Sequence, residues 1–416
     1  MNLQNPRGTY DALPEMSERL RFIENTAVEV FRRYGYGEIR TPVFEHMDVF
    51  ARNVGDSTDI VSKEMYVFDD RGGDKMALRP EGTAGVVRAY YSNGLKQNLP
   101  LKLCYAGIPV FRYERPQKGR YRQHHQVGIE CFGFNGPAAD VETIAIGFAL
   151  LKALGIDDGL YVTVNSLGSK QDRVKYREAL VAYFEPHFEK LSADSKERLH
   201  KNPLRILDSK SENDRALLGD APKLEDYLSE ESKAHFADVK AGLDTLGLPY
   251  KFDGTLVRGL DYYTHTVFEI HSDKLGAQSQ VISGGRYDGL VEQMGKDSVA
   301  GVGFGSGTER LEAIMREMDM KRRPVSFIAM GEGTTVEALR LADKLRAVGL
   351  YADVSLDGGS FKSQMKRANK LNACYSVIIG EDEMKSGEYQ LKDMDSGEQH
   401  SLRPDDLISY LTRAGK

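Results

Sequence analysis

Five cations crowd the stretch from Arg112 to Arg122: Arg112, Arg115, Lys118, Arg120 and Arg122, against a single acid, Glu114. A guanidinium is a planar fork of donors that matches phosphate oxygens, so such a cluster suits a polyphosphate or an RNA backbone. The same composition also describes a solvated basic loop. The residues that follow weigh against the bland reading. In Gln126-Val127-Gly128-Ile129-Glu130-Cys131 a strand sends Val127, Ile129 and Cys131 to one face and Gln126, Gly128 and Glu130 to the other. The first face is expected to be core, and the second sets two polar groups around a glycine gap into which a ligand fits.

Other segments carry candidate chemistry, each with a plainer alternative. In Arg79-Pro80-Glu81-Gly82-Thr83-Ala84, Glu81 and Thr83 offer acceptors for an ammonium group, or Thr83 simply N-caps a helix beginning at Ala84. In Arg258-Gly259-Leu260-Asp261-Tyr262-Tyr263 an arginine and two tyrosines flank a glycine, an arrangement that also serves plain packing. Ser283 to Gly289 reads as a tight turn, with Arg286 and Tyr287 as a functional hint. Arg310 follows a glycine run and is placed to point back over a sheet, or into solvent. The common nucleotide signatures are missing. Gly295-Lys296 is followed by Asp297 and has Leu290 where a P-loop needs glycine. Gly301, Gly303, Gly305 and Gly307 are misspaced for a dinucleotide fingerprint. If a nucleotide binds here, it binds on an antiparallel sheet by another design.

These residues need a scaffold, and the chain is large enough to build one. Its 416 residues, 41% hydrophobic, predict two or three domains. No apolar run approaches the roughly 20 residues of a membrane span, and the start MNLQNPRGTYDALP lacks a signal-peptide core; a cytoplasmic location is expected. Cys104, Cys131 and Cys374 are far apart and never form Cys-x-x-Cys, so they are expected to be buried thiols. A net charge of −6 excludes coating of nucleic acid by bulk positive charge, but not local basic surfaces.

The hydrophobic pattern predicts a helix from Ser17 to Tyr34, capped by Ser17 and stopped at Gly35. A strand is expected over Glu38 to Glu45, confined by Pro42 to an edge, an end or an interface. A hairpin with a long turn spans Leu101 to Phe134. The charged stretch from about Gly168 to Lys251 reads as an inserted helical subdomain. Strands resume at Leu256 to Ile270 and at VISGG, and Gly301 to Met315 reads as a strand entering a helix. Beyond a linker at Lys321 to Pro324, strands at 325–330, 351–356 and 375–379 alternate with helices, one of them starting near Val336, which implies a small α/β domain with right-handed crossovers.

Taken in order, the motifs resemble the class II aminoacyl-tRNA synthetases, and more narrowly the histidyl-tRNA synthetase family in its bacterial form. RTPVFE resembles the first class motif, FRYERPQKGRYRQHHQ the second and GFGSGTERL the third, while LVRGLDYY and SGGRYDGL resemble the two stretches peculiar to the histidine enzymes; RGTYDALP and NPLRILDSK are similar to bacterial members. The likeness covers nearly the whole chain. It implies an α+β fold: a six-stranded antiparallel catalytic sheet with flanking helices, a helical insertion and a C-terminal α/β anticodon-binding domain. The corresponding boundaries are 1–167 and 252–320 for the catalytic domain, 168–251 for the insertion and 325–416 for the anticodon domain. It also implies a homodimer, with Pro42 at the interface.

The resemblance further implies ATP-dependent formation of histidyl-adenylate and transfer of histidine to tRNA(His). Mg²⁺ is carried by ATP, with no prosthetic group and no protein-held metal. By similarity Arg112 and Arg258 are catalytic at the α-phosphate. Glu81, Thr83 and Gln126 take the ammonium group of histidine, and Glu130 and Tyr263 its imidazole, with Tyr262 nearby; Arg112 and Arg258 also border the amino acid. Arg112, Glu114, Arg120, Tyr121, His124 and Arg310 belong to the ATP site, and Arg115 and Gln117 to the tRNA acceptor end. Two departures stand out. His124 replaces a phenylalanine that stacks on adenine, so weaker or pH-dependent ATP binding is expected. Ser306 and Thr308 replace residues that are commonly apolar, which puts the local packing in question. The rival readings are an inert relative that regulates histidine biosynthesis by binding ATP phosphoribosyltransferase, and an adenylate-forming ligase that uses no tRNA.

Overall fold

The computed structural model describes residues 3–54, 60–116, 119–207, 209, 211–258, 260, 262–274, 279–295, 297–317 and 322–414. The chain divides into two compact units, Met1–Met318 and Asp319–Lys416. The first opens with the helix Pro14–Arg33, which buries Ile23, Ala27 and Phe31 on its inner face, as the 3.6-residue period requires. It starts ahead of Ser17 because Pro14 takes the first-turn position, where a missing N–H costs nothing. Short strands follow: β1 (Gly37–Glu38), β2 (Phe44–His46), β3 (Val67–Asp69) and β4 (Lys75–Leu78). The single strand expected over Glu38 to Glu45 is therefore split. Pro42 has no N–H for a ladder, and the Arg79 guanidinium occupies the carbonyls of Thr41 and Pro42 at 2.9 and 3.1 Å.

The main sheet adds β5 (Leu101–Phe111), β6 (Gln123–Phe132), β7 (Leu160–Ser166), β8 (Tyr250–Phe252), β9 (Thr264–Ser272), β10 (Gln280–Arg286) and β11 (Gly301–Gly307). Its order is β1-β5-β6-β11-β10-β9-β7-β8. Neighbours from β5 through β7 are antiparallel, whereas β1 lies parallel to β5 and β8 parallel to β7. The sheet is thus eight-stranded and mixed, not the six-stranded antiparallel sheet expected; its edge strands are too short to carry a readable period. The foreseen strand at Leu256 also begins late, at Thr264, since the Tyr263 carbonyl accepts from Arg173 Nη1 at 2.7 Å instead of entering the ladder. Between β7 and β8 the described residues form helices and turns, chiefly Lys170–Phe184, Ala193–Lys201 and Glu230–Thr245.

Val127, Ile129 and Cys131 sit in the core between the sheet and the helices Pro14–Arg33 and Ala138–Ala153, so the alternation along β6 was read correctly. Cys104 is also buried, and burial pushes both Cys104 and Cys131 up to about 11; Cys374, expected to match them, is only partly buried. Arg286, a functional hint in the sequence, proves to be a packing residue. Its fully buried guanidinium holds Asp140 (Nη2 to Oδ2, 2.5 Å) and the carbonyls of Phe134 and Gly136, each at 3.0 Å, tying β10 to the start of the helix Ala138–Ala153. Removing one partner strands the other charge in the interior. Arg286→Ala should lower the unfolding free energy by about 3–5 kcal/mol, read by urea denaturation; a loss under 1 kcal/mol would refute this role.

In the second unit the strands are β12 (Val325–Ala329), β13 (Ala352–Val354), β14 (Tyr375–Ile379), β15 (Tyr389–Asp393) and β16 (Gln399–Leu402), ordered β13-β12-β14-β15-β16. The first three are mutually parallel, as the α/β reading requires, and the last two add antiparallel pairings. The helix Thr334–Ala347 buries Ala338, Leu341, Ala342 and Leu345. Among the described residues, no helix is long and apolar enough to cross a membrane.

Candidate active site

Directly paired residues on adjacent strands share a face, and this places the glycines of β11. Glu130 pairs with Gly303, and Gly303 with Gly285. Gly128 pairs with Gly305, Gly305 with Ser283, and Ser283 with Glu269. The polar face of β6 thus looks over a floor stripped of side chains. Above it lies a narrow cleft of about 70 Å³. Glu81, Thr83, Arg112, Gln126, Arg258, Tyr262 and Tyr263 all line it, so seven expected residues from four separate segments converge. Two larger hollows in the first unit are bordered mainly by the helical stretch after β7 and gather none of these groups but Tyr262.

Glu81 caps the helix Thr83–Ser92: its carboxylate accepts from the N–H groups of Thr83 (2.7 Å) and Ala84 (2.8 Å). Thr83 is therefore not the cap, and its hydroxyl instead donates to Glu130 Oε1 at 2.7 Å. Burial raises the pKa of Glu81, while those two N–H bonds and the Arg112 charge pull it back down. Arg112 lies just beyond β5, not inside it, and is fixed by its Nε on the Pro80 carbonyl at 2.8 Å. Arg258 donates through Nη1 to Glu269, its Cζ stands 5.9 Å from the Tyr263 ring centre, and its buried Nε has no partner among the described residues.

Glu130 is not among the lining residues. It sits one layer behind, 1% exposed, accepting from Thr83, from Tyr105 at 3.3 Å and from Tyr287. Burial lifts it from the ordinary 4.5 to about 8. A carboxyl raised in the folded state holds a proton that the unfolded chain has released. Its stabilising contribution is complete below about pH 4.5 and is lost as pH rises to about 8, by up to about 1.4 kcal/mol per pH unit. Glu130→Gln, which has no proton to lose, should gain on the parent in urea stability from pH 5 to pH 8; a constant difference would show the carboxyl to be ionised throughout.

The remaining candidates lie outside this cleft. Arg310 Nη1 donates to the Gln280 carbonyl at 2.6 Å. Arg120 is 3.9 Å from Glu114, and Tyr121 packs on Tyr10 at 4.8 Å between ring centres. Arg122, one of the five cations, lies 3.8 Å over the Tyr113 ring. Arg115 is exposed; Gln117 and Lys118 fall outside the described residues. A Cβ at Gly307 would lie 4.0 Å from both His124 and Arg310, so these two border one spot. Burial, then the Arg112 charge, lowers His124 to about 4. Its ring is neutral near pH 7. Ser306 and Thr308 are satisfied, not disruptive, by bonds to the Val281 carbonyl (2.9 Å) and the His125 carbonyl (3.3 Å).

Two residues of the site, Tyr105 and Glu269, carried no role in the sequence, and Tyr287 carried only a hint. Tyr105 and Tyr287 line the cleft and bind Glu130. Tyr105 had a signal, an aromatic opposite Gly128 across the hairpin. Glu269 was detectable as a polar residue in the alternation of β9, where Glu269 and His271 share a face. Buried Glu309 is a supporting residue, accepting from Tyr10 (2.7 Å) and His125 Nδ1 (2.8 Å).

Comparison with known proteins identifies relatives of the chain. The histidyl-tRNA synthetase family model matches residues 8–311, and an anticodon binding domain model matches 324–414. The histidine–tRNA ligase of Rhodospirillum rubrum is 51% identical over 412 residues, covering 99% of both chains. That of Pediococcus pentosaceus is 49% identical and covers 97% of each. The crystal structure of apo S. aureus histidyl-tRNA synthetase superposes with a TM-score of 0.83 at 38% identity, over 99% of this chain and 100% of that one. With the family model spanning most of its length and relatives alike from end to end, the chain belongs to the histidyl-tRNA synthetase family.

Proposed function

We propose that the protein is a histidine–tRNA ligase. The histidine carboxylate attacks the α-phosphate of ATP, giving histidyl-adenylate and pyrophosphate; the terminal ribose hydroxyl of tRNA(His) then takes the histidyl group and AMP leaves. The observation that carries this reading is the meeting of Arg112 and Arg258 with Glu81, Thr83, Gln126 and Tyr263 in one cleft. No covalent enzyme intermediate is needed, so the protein's work is alignment and stabilisation of charge at the α-phosphate. Arg112 and Arg258 serve that phosphate. Glu81, Thr83 and Gln126 receive the ammonium group. Tyr263 bonds one imidazole nitrogen beside Tyr262, and Glu130 reaches the other through the Tyr287 hydroxyl it binds. A site equipped for one donor and one acceptor penalises apolar competitors, which leave those partners empty.

Arg120 and Arg310 hold the far phosphates, Mg²⁺ enters as part of the nucleotide and bridges them, and Glu114, Tyr121 and neutral His124 border the adenosine. Arg115 and Gln117 meet the acceptor end of the tRNA. Residues 1–167 and 252–320 form the catalytic domain, 168–251 the helical insertion and 325–416 the anticodon-binding domain. The working form is a cytoplasmic homodimer. Exposed Val43, Phe44, Val67 and Phe68, with the two phenylalanine rings 6.3 Å apart, give the separate three-stranded sheet β2-β4-β3 an apolar surface of the kind subunits cover. The test is histidine-dependent exchange of pyrophosphate into ATP, followed by charging of tRNA(His). Pure protein that supports neither is not this enzyme.

A further inference from the structure

Arg258 stands on coil, not on a strand: the described residues between Leu256 and Tyr263 belong to no ladder, and β9 begins only at Thr264. Backbone pairing therefore does not fix its guanidinium. What reaches it is Glu269, in the middle of β9, a strand paired on both sides, with β10 and with β7. Glu269 is as sheltered as its partner, with side-chain exposures of 17% and 15%. Its register neighbour Ser283 lines the cleft, so the carboxylate belongs to the row of residues that crosses the cleft floor. Of the other basic groups near it, His271 stands off at 3.7 Å, with burial lowering its pKa toward the neutral ring, and Arg310 feels its charge. Arg258 is thus its principal partner among the described residues. The arginine is not used up by this pairing, because its buried Nε carries no bond among the described residues and it still lines the cleft.

We propose that Glu269 is a positioning residue for adenylate formation: from the rigid centre of the sheet its carboxylate grips one edge of the Arg258 guanidinium and leaves the remaining donors aimed at the α-phosphate. An arginine on coil has several rotamers within reach, and only those that present donors to the phosphate help the reaction. A carboxylate on the sheet selects among them. It also offsets a positive charge in a cleft that Arg112 lines as well. The inference rests on the proposed role of Arg258 at the α-phosphate, and the experiment separates the two.

Single-turnover formation of histidyl-adenylate is measured with the full-length protein, Glu269→Gln, Glu269→Asp, Arg258→Ala and the double variant Arg258→Ala/Glu269→Gln, alongside thermal melts. Supporting groups of this kind are worth about 10- to 100-fold. Glu269→Gln should slow the step by that factor with KM for histidine within about twofold, and Glu269→Asp should recover most of the loss. The double variant should be no slower than Arg258→Ala, because Glu269 acts through Arg258. If Arg258→Ala reacts at the parental rate, the α-phosphate role falls and this inference falls with it. If Arg258→Ala is slow while Glu269→Gln reacts at full rate, or Glu269→Gln costs the same factor in both backgrounds, only the positioning role is overturned. A drop in melting temperature with unchanged rate would make the pair a structural salt bridge and nothing more.

Discussion

Arg258→Ala is expected to slow histidyl-adenylate formation by about 100- to 1000-fold, the usual cost of losing one preorganised donor at a developing charge, while tRNA binding changes less than about twofold. On the proposed reading the α-phosphate gains electron density as the histidine carboxylate attacks, and the two guanidinia that line the cleft meet it. Arg112 is held by the Pro80 carbonyl and Arg258 by Glu269, so neither need be reorganised when the charge develops. Both act in a sheltered site, where a fixed charge is worth more than in water. Because Arg258 serves the transition state more than the bound substrates, the loss should fall on kcat with KM for ATP little moved. Pyrophosphate exchange gives kcat and KM, and filter binding of tRNA(His) gives the control. A variant with parental exchange would remove Arg258 from the chemistry; one that also loses tRNA binding would point to a broader structural defect.

The sequence was most legible where one period ran undisturbed. Along β6 the two-residue alternation separated Val127, Ile129 and Cys131, which are core, from the polar face carrying Gln126 and Glu130. The 3.6-residue pattern located the first helix, and the strand–helix alternation located the second unit's sheet. Legibility failed where tertiary hydrogen bonds overrode local preference. Arg79 takes the carbonyls that would have continued a strand past Pro42. Arg173 takes the Tyr263 carbonyl, which keeps that segment as coil and makes Glu269 necessary as an anchor for Arg258. Strands of two or three residues, such as β1 and β8, are too short to show any period, so the sheet is wider than expected.

The site itself was legible as a set of residue types, and only in part as geometry. Seven expected residues converge because the segments that carry them, though far apart in sequence, run beside one sheet: the end of β5, β6, the coil that enters β9 and the start of the helix Thr83–Ser92. Layering could not be read. An inward-facing glutamate looks the same in sequence whether it touches the ligand or supports those that do, and Glu130 proves to lie behind Thr83 and Tyr287. Arg286 and Tyr287 are neighbours in one motif with opposite fates. Arg286 closes β10 and goes to Asp140, whereas Tyr287, one residue past the strand, lines the cleft.

The glycines of β11 give the sharpest test of where the ligand lies. A Cβ at Gly303 would collide with the Ile129 carbonyl oxygen and with Glu130 Oε2, so substitution there disturbs the fold and says little about binding. At Gly305 the nearest atoms are Tyr105 Oη at 3.8 Å and Gln126 Nε2 at 3.9 Å, ordinary contact distances, and its strand conformation needs no glycine. Valine there should be accepted by the sheet, which favours β-branched residues, and its methyl groups must enter the space between Gln126 and Tyr105 that the proposed reading gives to histidine. Gly305→Val should therefore lower kcat/KM for histidine by more than about 100-fold, a loss of roughly 3 kcal/mol typical of overpacking a fitted site, with the melting temperature nearly unchanged. Gly305→Ala should fall between. Histidine-dependent exchange and a thermal melt on the same preparations decide it: parental exchange by Gly305→Val would mean that histidine does not sit over β11, while a collapsed melting temperature would show that the gap is structural, leaving Gly305→Ala to report on binding.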